Sequence, residues 1–198
     1  MTNLATHPPR VAEHEVLPLL VARWSPRAMS GEPLAAGALA RLFEAARWAP
    51  SGGNVQPWRF VYAETGTPEM AAFLDLLEPG NRVWCVRAAA LVVVASQTTL
   101  ADGRPHPTHA FDAGAAWMSL ALQGSSMGLV VHAMGGFDRA RAPAVAGLPD
   151  GWAVQCMIAV GRPGRVEDLP ERLQAREGPS SRKPVGEIAF RGRFGAGA

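Results

Sequence analysis

Cysteine is scarce: Cys85 and Cys156 are the only two in 198 residues. A pair so far apart excludes a disulfide framework and a cysteine-rich zinc centre. Their apolar neighbours read as surroundings for buried free thiols. Charge is sparse as well. Charged residues make up 18% of the chain, and a net charge of +2 carries no long basic run. That argues against nucleic acid as a partner, since such binding needs a basic stripe or patch. A light charge load also suits a surface partly covered in an oligomer. No apolar signal-peptide core opens the sequence, which leaves the cytoplasm as the default location. Internal repeats and a second domain boundary are both missing. With 48% hydrophobic residues, the chain reads as one domain over 1–198 with a full core. Residues 1–10 are polar, carry two prolines and read as a loose end.

Residues 113–131 contain no charged side chain, a length close to what a bilayer span needs. Three glycines, three serines and Gln123 interrupt the stretch, however, and basic anchors do not flank it. It reads as a helix buried in a core or dimer seam rather than in a membrane.

Hydrophobic periodicity predicts helices over Val11–Ala22 (disturbed by Pro18), Leu34–Trp48, Thr67–Leu77 and Phe111–Met127. Gly128 closes the last of these, and Pro79-Gly80 ends the third. Asn81–Arg87 reads as a short helix or turn, and Asp138–Val145 as a short helix capped by Asp138. Strands are expected at Arg59–Ala63, at Ala88–Ser96 with its β-branched run, at Leu129–Met134 and at Trp152–Val160. Val185–Phe190 alternates enough to add an edge strand, after a long surface segment over 162–184. Four or five short strands mixed with helices indicate an α+β layered fold.

Candidate chemistry centres on Pro50-Ser-Gly-Gly-Asn-Val-Gln-Pro-Trp58, between a helix and a strand. Pro50 disfavours helical geometry in the residue before it. Gly52 and Gly53 allow close approach of a ligand to the main chain. Asn54 and Gln56 add amides that both donate and accept hydrogen bonds, the mixture a flat heterocycle edged with carbonyls and ring nitrogens requires. Alone, the stretch is read as a turn. Arg23-Trp-Ser-Pro-Arg27 places two guanidiniums and a hydroxyl within five residues. Planar arginine forks suit phosphate oxygens, although an isolated run of this kind is more often a solvated turn. Asn81 is a ligand contact or a cap, and Gly135-Gly136 a ligand-facing strand end or a plain turn. His106 and His109 lie three apart without an evident third ligand, so no metal is assigned. His132, in an apolar strand, reads as a hydrogen-bonded core histidine. No catalytic triad is present, and no catalytic acid or base is assigned.

Together these stretches resemble the flavin-dependent nitroreductase family. The likeness runs from about Val16 to the C-terminus, and the order and spacing of the motifs carry it. Arg23–Arg27 resembles the family's phosphate motif, and Ala46–Trp58 its most recognisable signature. Phe111–Ala116 resembles the start of its central helix. Gly128–Asp138 resembles the strand and turn that meet the flavin, and Ala159-Val-Gly161 and Ser181–Pro184 its closing motifs. The resemblance implies a sandwich with a central, mostly antiparallel sheet flanked by helices. It implies a homodimer with FMN at the subunit interface and an exchanged C-terminal strand or tail. It places Arg23, Ser25, Arg27 and Arg182 on the ribityl phosphate, with Trp24 inside that motif. Asn81 would reach the pyrimidine edge or ribityl chain. Pro50, Ser51, Gly52, Asn54 and Gln56 belong to the signature loop, which would approach from the partner subunit. Ala133, Met134, Gly135 and Gly136 would line the ring. The implied activity is ping-pong hydride transfer from NADH or NADPH through flavin N5 to a nitroaromatic, quinone or similar small-molecule acceptor. The alternatives are a flavin carrier of the same fold with little turnover, and a protein that binds another phosphate.

Overall fold

The computed structural model describes residues 10–196, so most of the expected loose end lies outside the described residues. Four strands form one sheet: β1 (Trp58–Glu64), β2 (Ala90–Gln97), β3 (Val130–Met134) and β4 (Trp152–Gly161). Their spatial order is β1-β2-β4-β3, and every neighbouring pair is antiparallel. Val93 stands opposite Val61 and Met157, and Ile158 opposite Val92 and Ala133. β2 is central and buried on both faces. That is why its sequence is a continuous apolar run rather than an alternating one.

Two helical layers cover the sheet. On one face lie α2 (Ala38–Arg47) and the long α5 (His109–Ser126), packing Leu42, Ala46, Ala116 and Leu120 against Val92, Val94 and Ile158. On the other lie α3 (Pro68–Leu76), α4 (Pro79–Cys85), α6 (Ala142–Val145) and α7 (Glu171–Gln174). There Phe73, Leu76, Trp84 and Leu173 meet Leu91, Val93 and Met157. The structure is the expected α+β sandwich with a central antiparallel sheet.

Local physics moves several boundaries. The first helix, α1 (Pro18–Ala22), is only five residues long. Pro18 starts it instead of disturbing it, because a missing N–H costs nothing in the first turn. α2 begins at Ala38, since Gly37 before it is left-handed with φ 75°. Pro79 begins α4 rather than only ending α3. α6 starts at Ala142, and Asp138 instead caps the preceding turn by accepting from Ala140 N and Arg141 N at 3.1 and 3.0 Å. The segment 162–184 is not wholly superficial, for Leu169 and Leu173 enter the core.

Val185–Phe190 is not a strand. Val185–Glu187 is a 3₁₀ turn in which the Ile188 and Ala189 amides both donate to the Val185 carbonyl. The Val185 amide donates to Glu13 at 2.9 Å. With these groups committed locally, the segment has no ladder to offer. Cys85 is fully buried and Cys156 half-buried. Burial pushes both thiols up, Cys156 to about 11, which leaves them unreactive.

α5 approaches β3 closely at Gly124, where an added Cβ would overlap Cγ2 of Val131. Gly124→Ala should therefore destabilise the fold by about 1–3 kcal/mol through overpacking. Val131→Ala in the same background should recover part of the loss. Urea unfolding of the four proteins in the cycle measures both; wild-type stability for Gly124→Ala would contradict the close approach.

Candidate functional site

Beyond α1 the chain runs extended through Ser25–Met29 and is fastened from several sides. His132 on β3 reaches the Pro26 carbonyl through Nδ1 at 2.8 Å. Since a carbonyl only accepts, Nδ1 carries the proton. The Trp84 ring packs on the same imidazole, 4.8 Å between centroids. Glu177, after α7, accepts from the Arg27 and Ala28 amides through Oε1 at 2.6 and 2.8 Å. Arg87 donates to the Met29 and Ser30 carbonyls, each at 2.9 Å. Gly164 lies so close to Met29 that a Cβ would overlap its carbonyl.

This fastened segment presents a cationic cluster. Arg23 Nη1 lies 3.3 Å from Ser25 Oγ, so guanidinium and hydroxyl converge. Arg10 donates to the Arg23 carbonyl at 2.5 Å. Burial, and then the charge of Arg182 on the C-terminal tail, lower the pKa of both Arg10 and Arg23. Among the described residues none of Arg10, Arg23 and Arg182 is ion-paired to a carboxylate. Arg23 Nε is buried and has no hydrogen-bond partner. Convergent guanidiniums, a hydroxyl and an unmatched buried donor make a donor set for a multiply charged oxyanion. Arg27 stands apart, with Nη1 3.6 Å from Glu177 Oε2. Half-buried Trp24 lies between Arg23 and Ser25. Tail and N-terminal segment also enclose a groove of about 760 Å³, with Arg10, Arg182 and Lys183 beside Val16, Leu20 and Ile188.

β3 is an edge strand, which leaves one side of its backbone outside the ladder. Met134 turns its side chain into the core beside Cys85, sulfur to sulfur at 3.4 Å, so only its backbone is open to a ligand. Ala133 faces the α2/α5 layer. Gly135 is exposed, and a Cβ there would meet only Arg139 Nη2, at 3.8 Å. At Gly136 a Cβ would come within 2.7 Å of Asn81 Nδ2 and 2.8 Å of Glu78 Oε2, so a larger residue there would displace these two side-chain ends. Asn81 is not the helix cap. Glu78 holds that position in α4, and Asn81 Nδ2 donates to the Gly136 carbonyl at 2.9 Å.

The signature loop lies elsewhere. Gly52–Asn54 is a 3₁₀ turn, and Asn54 and Gln56 sit at φ 54° and 52°, a conformation side-chain-bearing residues seldom adopt. Ser51 Oγ accepts from the Gln56 amide at 3.0 Å, and Gln56 Nε2 donates to the Asn54 carbonyl at 3.2 Å. The buried Asp112 carboxylate of α5 accepts from the Gly52 amide at 3.2 Å and from Thr108 Oγ1 at 3.1 Å. Pro50 and the turn itself are exposed. The loop leads into β1, the sheet edge opposite β3. Three strand spacings, roughly 14 Å, separate the two edges. The chain thus gathers Arg23, Ser25 and Arg182, and separately Asn81 with Gly136, while Pro50–Gln56 stay at the far edge.

Sequence reasoning missed Arg10, which fell in the expected loose end, and Glu177, one acid in a charged stretch. It also missed Asp112, whose only signal was a lone acid at the start of an uncharged run. His106 and His109 serve structure: His109 Nδ1 lies 2.8 Å from Ser96 Oγ. Among the described residues no acid, histidine or cysteine group could hold a metal. No helix there is long and apolar enough to cross a membrane.

His132 carries a pH signature. Burial first, then the charges of Arg27 and Arg23, pull its pKa down to about 4 against the Pro26 bond. The unfolded chain takes up this proton near pH 6.5 and the folded one near 4. Stability should therefore fall as pH drops through that window, by roughly 3 kcal/mol from this group. Urea unfolding between pH 7 and 4 should give a flatter dependence for His132→Gln; identical slopes would refute the assignment.

Residues 20–162 match the model of the nitroreductase family. A solved structure described as an oxidoreductase containing FMN is 42% identical, with TM-score 0.91 over 94% of this chain and 96% of that one. A nitroreductase from Desulfovibrio desulfuricans in complex with FMN is 24% identical, with TM-score 0.71 over 92% and 99% of the respective chains, and shares the fold. A 15.4 kDa protein of Mycolicibacterium smegmatis is 33% identical over 67% of this chain and 89% of its own. The chain belongs to the nitroreductase family.

Proposed function

We propose that the chain is an FMN-dependent oxidoreductase, working as a homodimer and using NADH or NADPH to reduce a nitroaromatic, quinone or similar small acceptor in a ping-pong cycle. The observation that carries this reading is the guanidinium cluster of Arg10, Arg23 and Arg182 beside Ser25, with no carboxylate partner among the described residues. It is held on a segment tied to the edge strand that ends in Gly135-Gly136. Membership of the family and likeness to an FMN-containing oxidoreductase support it.

When bound, FMN would accept hydride at its N5 and pass it on; the protein would supply binding, orientation and electrostatics. Arg23, Ser25 and Arg182, with Arg27, would hold the ribityl phosphate. Asn81 keeps the Gly136 backbone in place, and its amide oxygen faces the pyrimidine edge or ribityl chain in this assignment. The backbone of Ala133–Gly136, at an open sheet edge, would line the ring and offer N–H groups to a developing negative charge. Pro50, Ser51, Gly52, Asn54 and Gln56 would complete the site across a dimer. The separation of the two sheet edges supports that assignment, as does the exposure of Phe111 on α5, at 81%. No side chain need act as nucleophile, acid or base. A flavin-binding or carrier protein of the same fold with little turnover is the alternative reading.

A visible spectrum of the purified protein, before and after anaerobic NADH or NADPH, tests the proposal. A two-band flavin spectrum that bleaches with a nicotinamide is expected. A flavin spectrum that both nicotinamides leave unbleached favours the carrier, and a colourless protein that takes up no FMN overturns the reading. Arg23→Ala should weaken FMN binding more than about ten-fold through loss of a charge-assisted hydrogen bond. Full flavin occupancy of that variant after dilution would count against the phosphate assignment.

A further inference from the structure

Glu177 carries more charge than its structural task needs. Its side chain is 1% exposed. Oε1 alone clips the Arg27 and Ala28 amides, and a neutral amide oxygen could do the same. Oε2 is buried, lacks a hydrogen-bond partner, and meets only the Arg27 guanidinium at 3.6 Å. Burying a carboxylate is costly unless a countercharge and hydrogen bonds compensate it. Here the compensation comes from Arg27 and two backbone amides. Leu169 and Leu173, anchored in the core, hold the segment that delivers Glu177 beneath the arginine run. The cluster arginines, Arg10, Arg23 and Arg182, have no such partner among the described residues.

We propose that Glu177 is an internal counter-anion of the arginine site: it competes with a bound phosphoryl group for Arg27 and so limits the affinity of the site for phosphate. This rests on the reading of Arg23–Arg27 as a phosphate site. Two roles are combined in one carboxylate. Oε1 positions the backbone that presents Arg23, Ser25 and Arg27. The negative charge on Oε2 lowers the net positive charge that an incoming dianion meets and occupies the arginine it would use. The arrangement keeps the cofactor site from binding phosphate as tightly as its four arginines would allow.

Glu177→Gln separates the roles, because it retains an oxygen for the two amides and removes the charge. Full-length wild type and variant would be loaded with FMN or with riboflavin, which lacks the phosphate, and serially diluted while released flavin fluorescence is read. Inorganic phosphate would be tested in parallel by thermal shift. The expected result is FMN bound about ten-fold more tightly by Glu177→Gln, the size of one charge-assisted bond. Riboflavin affinity should not change, and phosphate should raise the melting temperature more than in wild type. Unchanged or weaker FMN binding, or equal shifts for both flavins, would overturn the proposal and leave Glu177 a structural clip. Should neither protein take up either flavin, the proposed function fails and the phosphate arm decides alone: a larger phosphate-induced rise in the variant sustains the counter-anion, and an equal or smaller one overturns it. If Glu177→Gln does not fold, the carboxyl carbon resonance of Glu177 in ¹³C-labelled wild type decides. Displacement on adding phosphate is expected, and an unmoved resonance refutes the competition.

Discussion

The docking of Pro26–Met29 onto the β3/β4 edge is the contact on which the candidate site depends. This stretch has no regular secondary structure of its own, so its backbone groups need partners from elsewhere. His132, Glu177, Arg87 and the Gly164 backbone supply them. Each comes from a different part of the chain. The arginine run therefore depends for its shape on β3, β4 and the segment behind α7. The site is a product of the whole fold rather than a local motif. The low basicity of the half-buried His132 follows from the same packing, since burial and then the charges of Arg27 and Arg23 disfavour a protonated ring and outweigh the backbone bonds that favour it.

Sheet order imposes the second constraint. With β2 and β4 in the middle, the two ligand-like loops emerge at opposite edges. The signature loop is also the one with the strained backbone, and Asp112 and Ser51 hold it in that shape. A loop that is pre-shaped, exposed and remote from the arginine cluster suits the proposed completion of the site by a second copy.

Much of this was legible in the sequence. The four strands came from β-branched runs and the long helix from its periodicity, because burial on both faces of β2 and along α5 leaves a strong apolar signal. Arg23, Ser25, Asn81 and Gly136 could be singled out because residue type and order carry the family pattern. What escaped was set by tertiary contact. Pro18 and Pro79 look alike as helix breakers and as helix starters, and only the direction of the chain decides. Val185–Phe190 alternates like a strand, yet its amides close a local turn. Glu177 and Arg10 have no local signal at all. Their meaning depends on segments about 150 and 13 residues away.

The arginine cluster is also a matter of balance between function and stability. Guanidiniums brought together with no carboxylate partner among the described residues repel each other, and burial first, then that repulsion, lowers the basicity of Arg10 and Arg23. The cluster is held by the bonds its guanidiniums make to backbone carbonyls, Arg10 to that of Arg23 and Arg182 to those of its own tail, and by the Glu177 carboxylate that takes the Arg27 amide. A surface turn with two arginines would splay them into water, where their repulsion is screened. Here the backbone ties keep the charges together, at a cost the apolar core must offset. Such an assembly is stable only as part of a large, well-packed domain, and it gains most when an anion of matching geometry enters.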